Sequence, residues 1–267
     1  MTTNAQKWKQ YLYTNGGKLE LVKCWWCLLV WVWIRGKATI KKSTKVKSEL
    51  YITQSENRNK TKVKIKKKNI DEAGKVLGIH VSVNGSWKND CEEWVGKSRT
   101  FAGLVRRAKF NRVCGVRLFP FLWVPKFRYS AGIIGYTKKQ CKNIESPVAS
   151  ACLSASGVNQ KFPRAVVFGH IKFGGLGWES MRQVQVYEVI KLFLVHMKLN
   201  KELRSLIMVS LETEQLRQGV ETPILEQSAK VKEYVEQSWI VNLQKILVDH
   251  GMKIRLTTQW TPTKKKK

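Results

Sequence analysis

The sequence predicts an α+β fold, with a small antiparallel sheet within residues 1–85 followed by a mainly α-helical region. Three observations carry this. Strand-like alternation of polar and apolar residues falls before residue 85, as in "KLELVK" (18–23) and "KVKIKKK" (62–68). Beyond residue 86, apolar residues recur at three- and four-residue intervals between helix-capping residues. The chain of 267 residues is 43% hydrophobic, enough for one large domain or two smaller ones with a real core. The expected divisions are 1–85, 86–262 and a basic tail at 263–267.

Residues 4–14, "NAQKWKQYLYT", read as a short amphipathic helix capped by Asn4, with Trp8, Tyr11 and Leu12 on its inner face. "NGG" at 15–17 ends it, because Asn and Gly tolerate the left-handed backbone of a helix end. "KLELVK" then reads as a strand running into "CWWCLLVWVWI" (24–34), a continuous apolar block that suits a strand buried on both faces. Residues 35–75 form a basic insertion, with 14 Lys and Arg against four acids. Within it "KVKIKKK" reads as an exposed edge strand or a solvated loop. "KVLGIHVSVNGSW" (75–87) is a strand with a turn signal at Asn84–Gly85.

The helices follow. Asn89–Asp90 cap one that presents Trp94, Ser98, Phe101 and Val105 on one face and ends in Arg106–Arg107. Pro125 interrupts the next apolar stretch, and Thr137 opens a capped helix. "NQKFPRAVVFGHIKFGGLGW" (159–178) reads as a glycine-punctuated loop with a short strand. Residues 180–199 carry Val186, Val189, Ile190, Phe193 and Met197 at helical spacing. A last helix runs from Ser238 to His250, with Trp239, Leu243, Ile246 and Leu247 inward and Gly251 as its stop.

Several chemistries find no support in these residues. Cys24 and Cys27 have C-x-x-C spacing, but no second pair or H-x-x-x-H completes a zinc site. Nor do they open a helix after a strand, as a redox pair does. All six cysteines therefore read as reduced thiols, mostly buried. The four histidines are scattered. Gly174-Gly175-x-Gly177 lacks both the Gly-Lys-Ser/Thr of a P-loop and the spacing of a dinucleotide fold. The apolar run of 24–34 is too short to cross a bilayer, and no secretory leader is evident, so an intracellular protein is expected, nuclear or cytoplasmic.

Charge is the strongest signal. A net charge of +30 points towards polyanions, and nucleic acid first among them. Lys and Arg interleave with aromatic residues in "RRAKFNR" (106–112), "PKFRY" (125–129), "YTKKQ" (136–140) and "KFPR" (161–164), a pattern that suits phosphate contact with base stacking. The competing reading of each stretch is a solvated charged face with its aromatics turned inward. A membrane-surface role would need a basic amphipathic helix, and 180–199 carries too few cations for one.

Several stretches together resemble a known family. "AQKWKQYLYTNGGKLELVKCWW" (5–26), "VLGIHVSVNGSWKND" (76–90), "YTKKQCKNIESP" (136–147), "NQKFPRAVVFGHIKFGGLG" (159–177) and "SWIVNLQKIL" (238–247) are similar to the downstream part of non-LTR-type retrotransposon reverse transcriptases. The likeness is to the eukaryotic group abundant in diatoms, oomycetes and fungi. It implies that the sheet is the remnant of a polymerase palm and that the helical region is thumb-like and tracks a duplex. Lys23 would match the palm lysine held to protonate leaving pyrophosphate. Leu77 and Gly78 would lie in the hairpin that grips the primer end. The nucleic-acid contacts expected are Lys64, Lys66, Leu77, Gly78, Arg106, Arg107, Arg112, Lys138, Lys139 and Arg164. The family uses Mg2+, but its Asp–Asp turn has no counterpart here, so no cofactor is expected and the chain alone should not polymerise. The implied partners are an RNA–DNA hybrid or double-stranded nucleic acid, bound with tolerance of sequence, and the missing N-terminal half of the enzyme. The basic insertion and "FRYSAGIIGYTKKQ" depart from the family pattern, as in a truncated, decaying copy. The alternative is a structural or interaction relic with no physiological nucleic-acid partner.

Overall fold

A computed structural model describes residues 2–15, 20–34, 37–40, 49–56, 59–199, 201–231, 235 and 238–256. The fold is α+β, and the chain divides into two compact units, Met1–Asn89 and Asp90–Lys267. The tail, Gly16 and Gly17 of the expected turn, and positions 41–48 of the basic insertion lie outside the described residues.

Among its described residues the first unit holds helix α1 (Thr2–Thr14) and seven strands: β1 (Trp25–Trp26), β2 (Trp31–Ile34), β3 (Lys37–Ile40), β4 (Leu50–Glu56), β5 (Asn59–Lys67), β6 (Gly74–Val76) and β7 (Ile79–Val81). Among the described residues they form a three-stranded sheet of order β1-β5-β4 and two hairpins, β2–β3 and β6–β7. β4 and β5 run antiparallel with Ile52 opposite Val63, while β1 joins β5 in parallel with Trp25 opposite Lys66. Alternation turns Ile52 and Ile65 to the inner face, where they pack with Leu21, Ala5, Cys24, Trp26, Leu50 and Val63.

Several expectations are corrected here. α1 starts two residues before Asn4, and Ala5, Gln6, Lys9 and Leu12 face inward while Trp8 and Tyr11 are exposed and stack on each other at 5.8 Å. Gln6 explains the rotation. Its side-chain amide accepts from the Thr53 N–H (3.0 Å) and donates to the Thr53 carbonyl (3.3 Å), so it covers the β4 edge as a neighbouring strand would. In "KLELVK", positions 18 and 19 lie outside the described residues and Leu21–Lys23 is a 3₁₀ turn, because Leu21 drops into the core and swings Trp25 towards β5. The apolar block 24–34 is not one doubly buried strand. Only Trp25–Trp26 reach the sheet, while Trp31 and Trp33 sit in the β2–β3 hairpin at 58% and 77% exposure. β5 is the middle strand of its sheet, although β1 covers only its last two residues. The turn of "KVLGIHV" falls at Leu77–Gly78, both with positive φ, which makes β6–β7 a tight hairpin.

The second unit is helical: α2 (Lys88–Arg107), α3 (Arg112–Leu118), a π-helical turn (Phe119–Trp123), α4 (Val124–Ala131), α5 (Lys138–Ala155), the single turn α6 (Arg164–Val167), α7 (Met181–Leu199), α8 (Lys201–Gln218) and α9 (Trp239–Asp249). The helical backbone continues from α3 through the π-helical turn into α4, so Pro125 does not break its path; its missing N–H falls where the hydrogen-bond register changes from π to α. Thr137 and Gln140 form a reciprocal capping box on α5, and Ser238 caps α9. Residues 159–178 contain no strand; α6 and a 3₁₀ turn (Ile171–Phe173) take its place.

The core of this unit begins with an aromatic block. Trp94 meets Trp123 and Phe127 edge-on at 5.7 and 5.4 Å, Phe127 stacks on Tyr136, and Phe119 stacks on Trp178 at 4.7 Å. A second cluster joins α7, α8 and α9 through Val189, Phe193, Leu211, Leu243, Ile246 and Leu247. Buried Gln218 and Gln244 exchange two hydrogen bonds there, at 2.9 and 3.2 Å, and so satisfy each other's amides.

Candidate nucleic-acid interface

β5 builds the most regular basic surface. Its inward residues are Val63 and Ile65, so the pleat turns Lys62, Lys64 and Lys66 to the opposite face, and all three are exposed. Side chains two apart on a strand stand about 6.8 Å apart, twice the rise of about 3.4 Å between phosphates of one strand of duplex DNA. The cross-strand partners share that face: Thr53 lies opposite Lys62, exposed Tyr51 opposite Lys64, and Trp25 opposite Lys66. The Lys68 ammonium sits over the Trp25 ring at 5.3 Å, while the ring packs against Gly74, where any Cβ would collide with it. Glu49 pairs with Lys64 and accepts from the Tyr51 hydroxyl; these bonds hold the Glu49 carboxyl below its ordinary range and raise Lys64 and Tyr51 above theirs. Among the described residues, Lys64 is thus the member of the row that is paired with an acid.

The remaining residues singled out from the sequence scatter. Lys23 is exposed at the end of the 3₁₀ turn. Leu77 and Gly78 form the tip of the β6–β7 hairpin, with Leu77 at 83% exposure. In the second unit, Arg106 and Arg107 occupy the last turn of α2, where cations are stabilised by the helix dipole whatever else they do. Arg112 opens α3 and lies against Gly157, just past the C-terminus of α5. Lys138 and Lys139 stand at the other end of α5, about 25 Å away by helix rise. A helix N-terminus disfavours cations, so helix electrostatics do not account for that pair. Arg164, on α6, faces Glu145, whose carboxyl is raised by burial and lowered in part by the Met181 N–H it accepts and by Arg164.

The basic–aromatic stretches divide. Phe127 and Tyr136 are buried core residues, whereas Phe110 and Tyr129 are exposed. Tyr136 donates to buried Asp90, and burial, then that bond, push its hydroxyl far above the tyrosine range. Arg128 is taken up by Glu179 at 2.6 Å and Glu188 at 3.2 Å. Lys62 is the residue the sequence reading passed over; its alternation with Val63 and Ile65 was the available signal.

Other chemistry is sparse. Cys24 and Cys27 are half-buried free thiols, chiefly raised by burial, the opposite of an activated redox pair; Cys91, Cys141 and Cys152 are buried and Cys114 is exposed. Among the described residues, no group of three His, Cys, Asp or Glu side chains is placed to hold a metal ion, and no helix is long and apolar enough to cross a membrane. No protein-family model, curated protein or solved structure matches the chain.

Proposed function

We propose that the chain is the downstream part of a retrotransposon-type reverse transcriptase, and that alone it binds nucleic acid by backbone charge without polymerising. The observation that supports binding is the row of Lys62, Lys64 and Lys66 beside Tyr51 and Trp25 on one sheet face, in a chain of net charge +30. Evenly spaced cations track a phosphate backbone and carry no base code, which fits sequence-tolerant binding to an RNA–DNA hybrid or duplex. On this reading the first unit corresponds to the end of a palm, the β6–β7 hairpin to the primer-end contact at Leu77–Gly78, and the helical unit to a thumb. The family's Mg2+ would need an Asp–Asp pair, which the sequence does not contain, and no step is assigned to a metal here. Lys23, exposed on its turn, would act as an acid only beside the catalytic half of the enzyme.

Filter binding of the full chain to an RNA–DNA hybrid at 50 and 200 mM salt tests this reading. Binding at low salt that weakens steeply at high salt is expected, with no nucleotide incorporation by the chain alone. Absence of binding at 50 mM salt sinks it.

A further inference from the structure

We propose that the loop Gly169–Gly177 is a stacking wedge that places the Phe173 ring on an unpaired base of a bound nucleic acid. The inference rests on the nucleic-acid reading above and adds a site to it. Phe173 is 89% exposed, more than any other described aromatic residue of its unit, and Ile171 beside it 71%. Exposure of this kind on a loose loop would mean little. This loop is tightly built. The Phe173 N–H donates to the His170 carbonyl at 2.9 Å, Gly174 to Ile171 at 3.0 Å, and Gly177 to Gly169 at 2.9 Å.

The return limb of the loop lies back on α6, where the Leu176 N–H donates to the Val166 carbonyl at 3.0 Å and the Trp178 N–H to the Val167 carbonyl at 3.2 Å. Buried Trp178 anchors the end by stacking on Phe119. The crossing is so close that a Cβ at Gly175 would collide with the Gly169 carbonyl, and Gly174 and Gly177 both take positive φ. At the tip, the His170 Nδ1 accepts from the Lys172 N–H at 3.1 Å, and its ring meets Phe173 edge-on at 6.2 Å. An apolar ring is thus held out in water by a preorganised frame, which lowers the ordering cost of binding.

Charge identifies the occupant. From Gly157 to Trp178 the chain carries Lys161, Arg164 and Lys172 and no acid, and all three are exposed. Cations on the segment that leads to one projecting ring suit a phosphate backbone whose base stacks on that ring. A bilayer would ask for more buried apolar area than two side chains supply.

The test uses the full chain and a short duplex with a single-stranded overhang, intact or with abasic sites throughout the overhang. Wild type should bind the base-bearing overhang about tenfold more tightly than the abasic one, within the range of base–aromatic stacking. Phe173→Ala should equalise the two with an unchanged salt dependence, and Phe173→Trp should restore the preference. Gly175→Ala, which keeps the ring but breaks its frame, should also reduce it. A preference that survives Phe173→Ala, or no preference in wild type, overturns the wedge while leaving backbone binding intact. Failure of wild type to bind either duplex at low salt overturns the underlying reading instead. Loss of binding to phosphatidylserine vesicles on Phe173→Ala, with both duplexes bound equally by wild type, assigns the loop to membranes and overturns the proposal.

Discussion

The two units solve the same compositional problem in opposite ways. In the first, aromatic residues and lysines share the surface: Trp8, Tyr11, Trp31 and Trp33 are exposed, and three buried apolar residues, Leu21, Ile52 and Ile65, centre the core cluster of the sheet. In the second, a central set of aromatics (Trp94, Phe119, Trp123, Phe127, Tyr136 and Trp178) is packed together inside and many cations stand at helix ends. The contrast shows that a lysine next to an aromatic in sequence decides nothing. The period of the element decides, since strand alternation puts neighbours on opposite faces and helical spacing separates them by 100°. It also separates two sources of stability, backbone pairing with edge cover in the first unit and side-chain packing in the second.

The largest effect should come from breaking the packed unit. Phe127→Ala removes a fully buried ring between Trp94 and Tyr136 and should cost about 3–5 kcal/mol by denaturant unfolding. The exposed Trp33→Ser should cost under about 0.5 kcal/mol in the same assay. Next in size is Gln218→Ala, which strands the buried Gln244 side-chain carbonyl, its N–H keeping only the longer bond to Gln227, and should cost about 1–3 kcal/mol, whereas the double change of Gln218 and Gln244 to Leu should cost less. In the first unit, Gln6→Ala uncovers the Thr53 edge. It should cost about 1 kcal/mol and be read as faster amide exchange at Thr53.

The smallest effect is a pH dependence. Burial raises the Glu145 carboxyl, so the native state holds its proton more tightly than the unfolded chain does. Its contribution to stability is therefore largest below the ordinary glutamate value and falls as pH climbs through the raised one. Glu145→Gln keeps an acceptor for the Met181 N–H and should flatten the part of the stability–pH profile that begins at the ordinary glutamate value and extends above it; an unchanged profile would contradict the assignment.

The helical half was largely legible in the sequence. The Thr137–Gln140 box, Ser238 and the Gly251 stop are local signals, and α5 and α9 obey them. α8 went unseen because its surface carries Leu203, Leu206, Val209 and Leu216 outward, which blurs any amphipathic stripe. The first unit was harder. The block 24–34 looks like one buried strand because hydrophobicity reports what a segment prefers and not which partner lies in reach; Trp25–Trp26 and Trp31–Ile34 pair with different strands. The rotation of α1 depends on Gln6 meeting Thr53, 47 residues away, which no local pattern encodes. Of the candidate interface, charge was visible but its grouping was not, since the row needs both the β5 pleat and the β4–β5 register.

The most direct test compares salt dependence across the two units. The full chain is titrated with an RNA–DNA hybrid between 50 and 200 mM salt, alongside Lys62→Ala/Lys64→Ala/Lys66→Ala and Arg106→Ala/Arg107→Ala variants. If the β5 row contacts phosphates, the lysine variant loses about three from the slope of log affinity against log salt, or about two if the Glu49 pair keeps Lys64 engaged. The arginine variant should leave the slope within about one of wild type. An unchanged slope for the lysine variant, with the loss appearing in the arginine variant, would contradict the account.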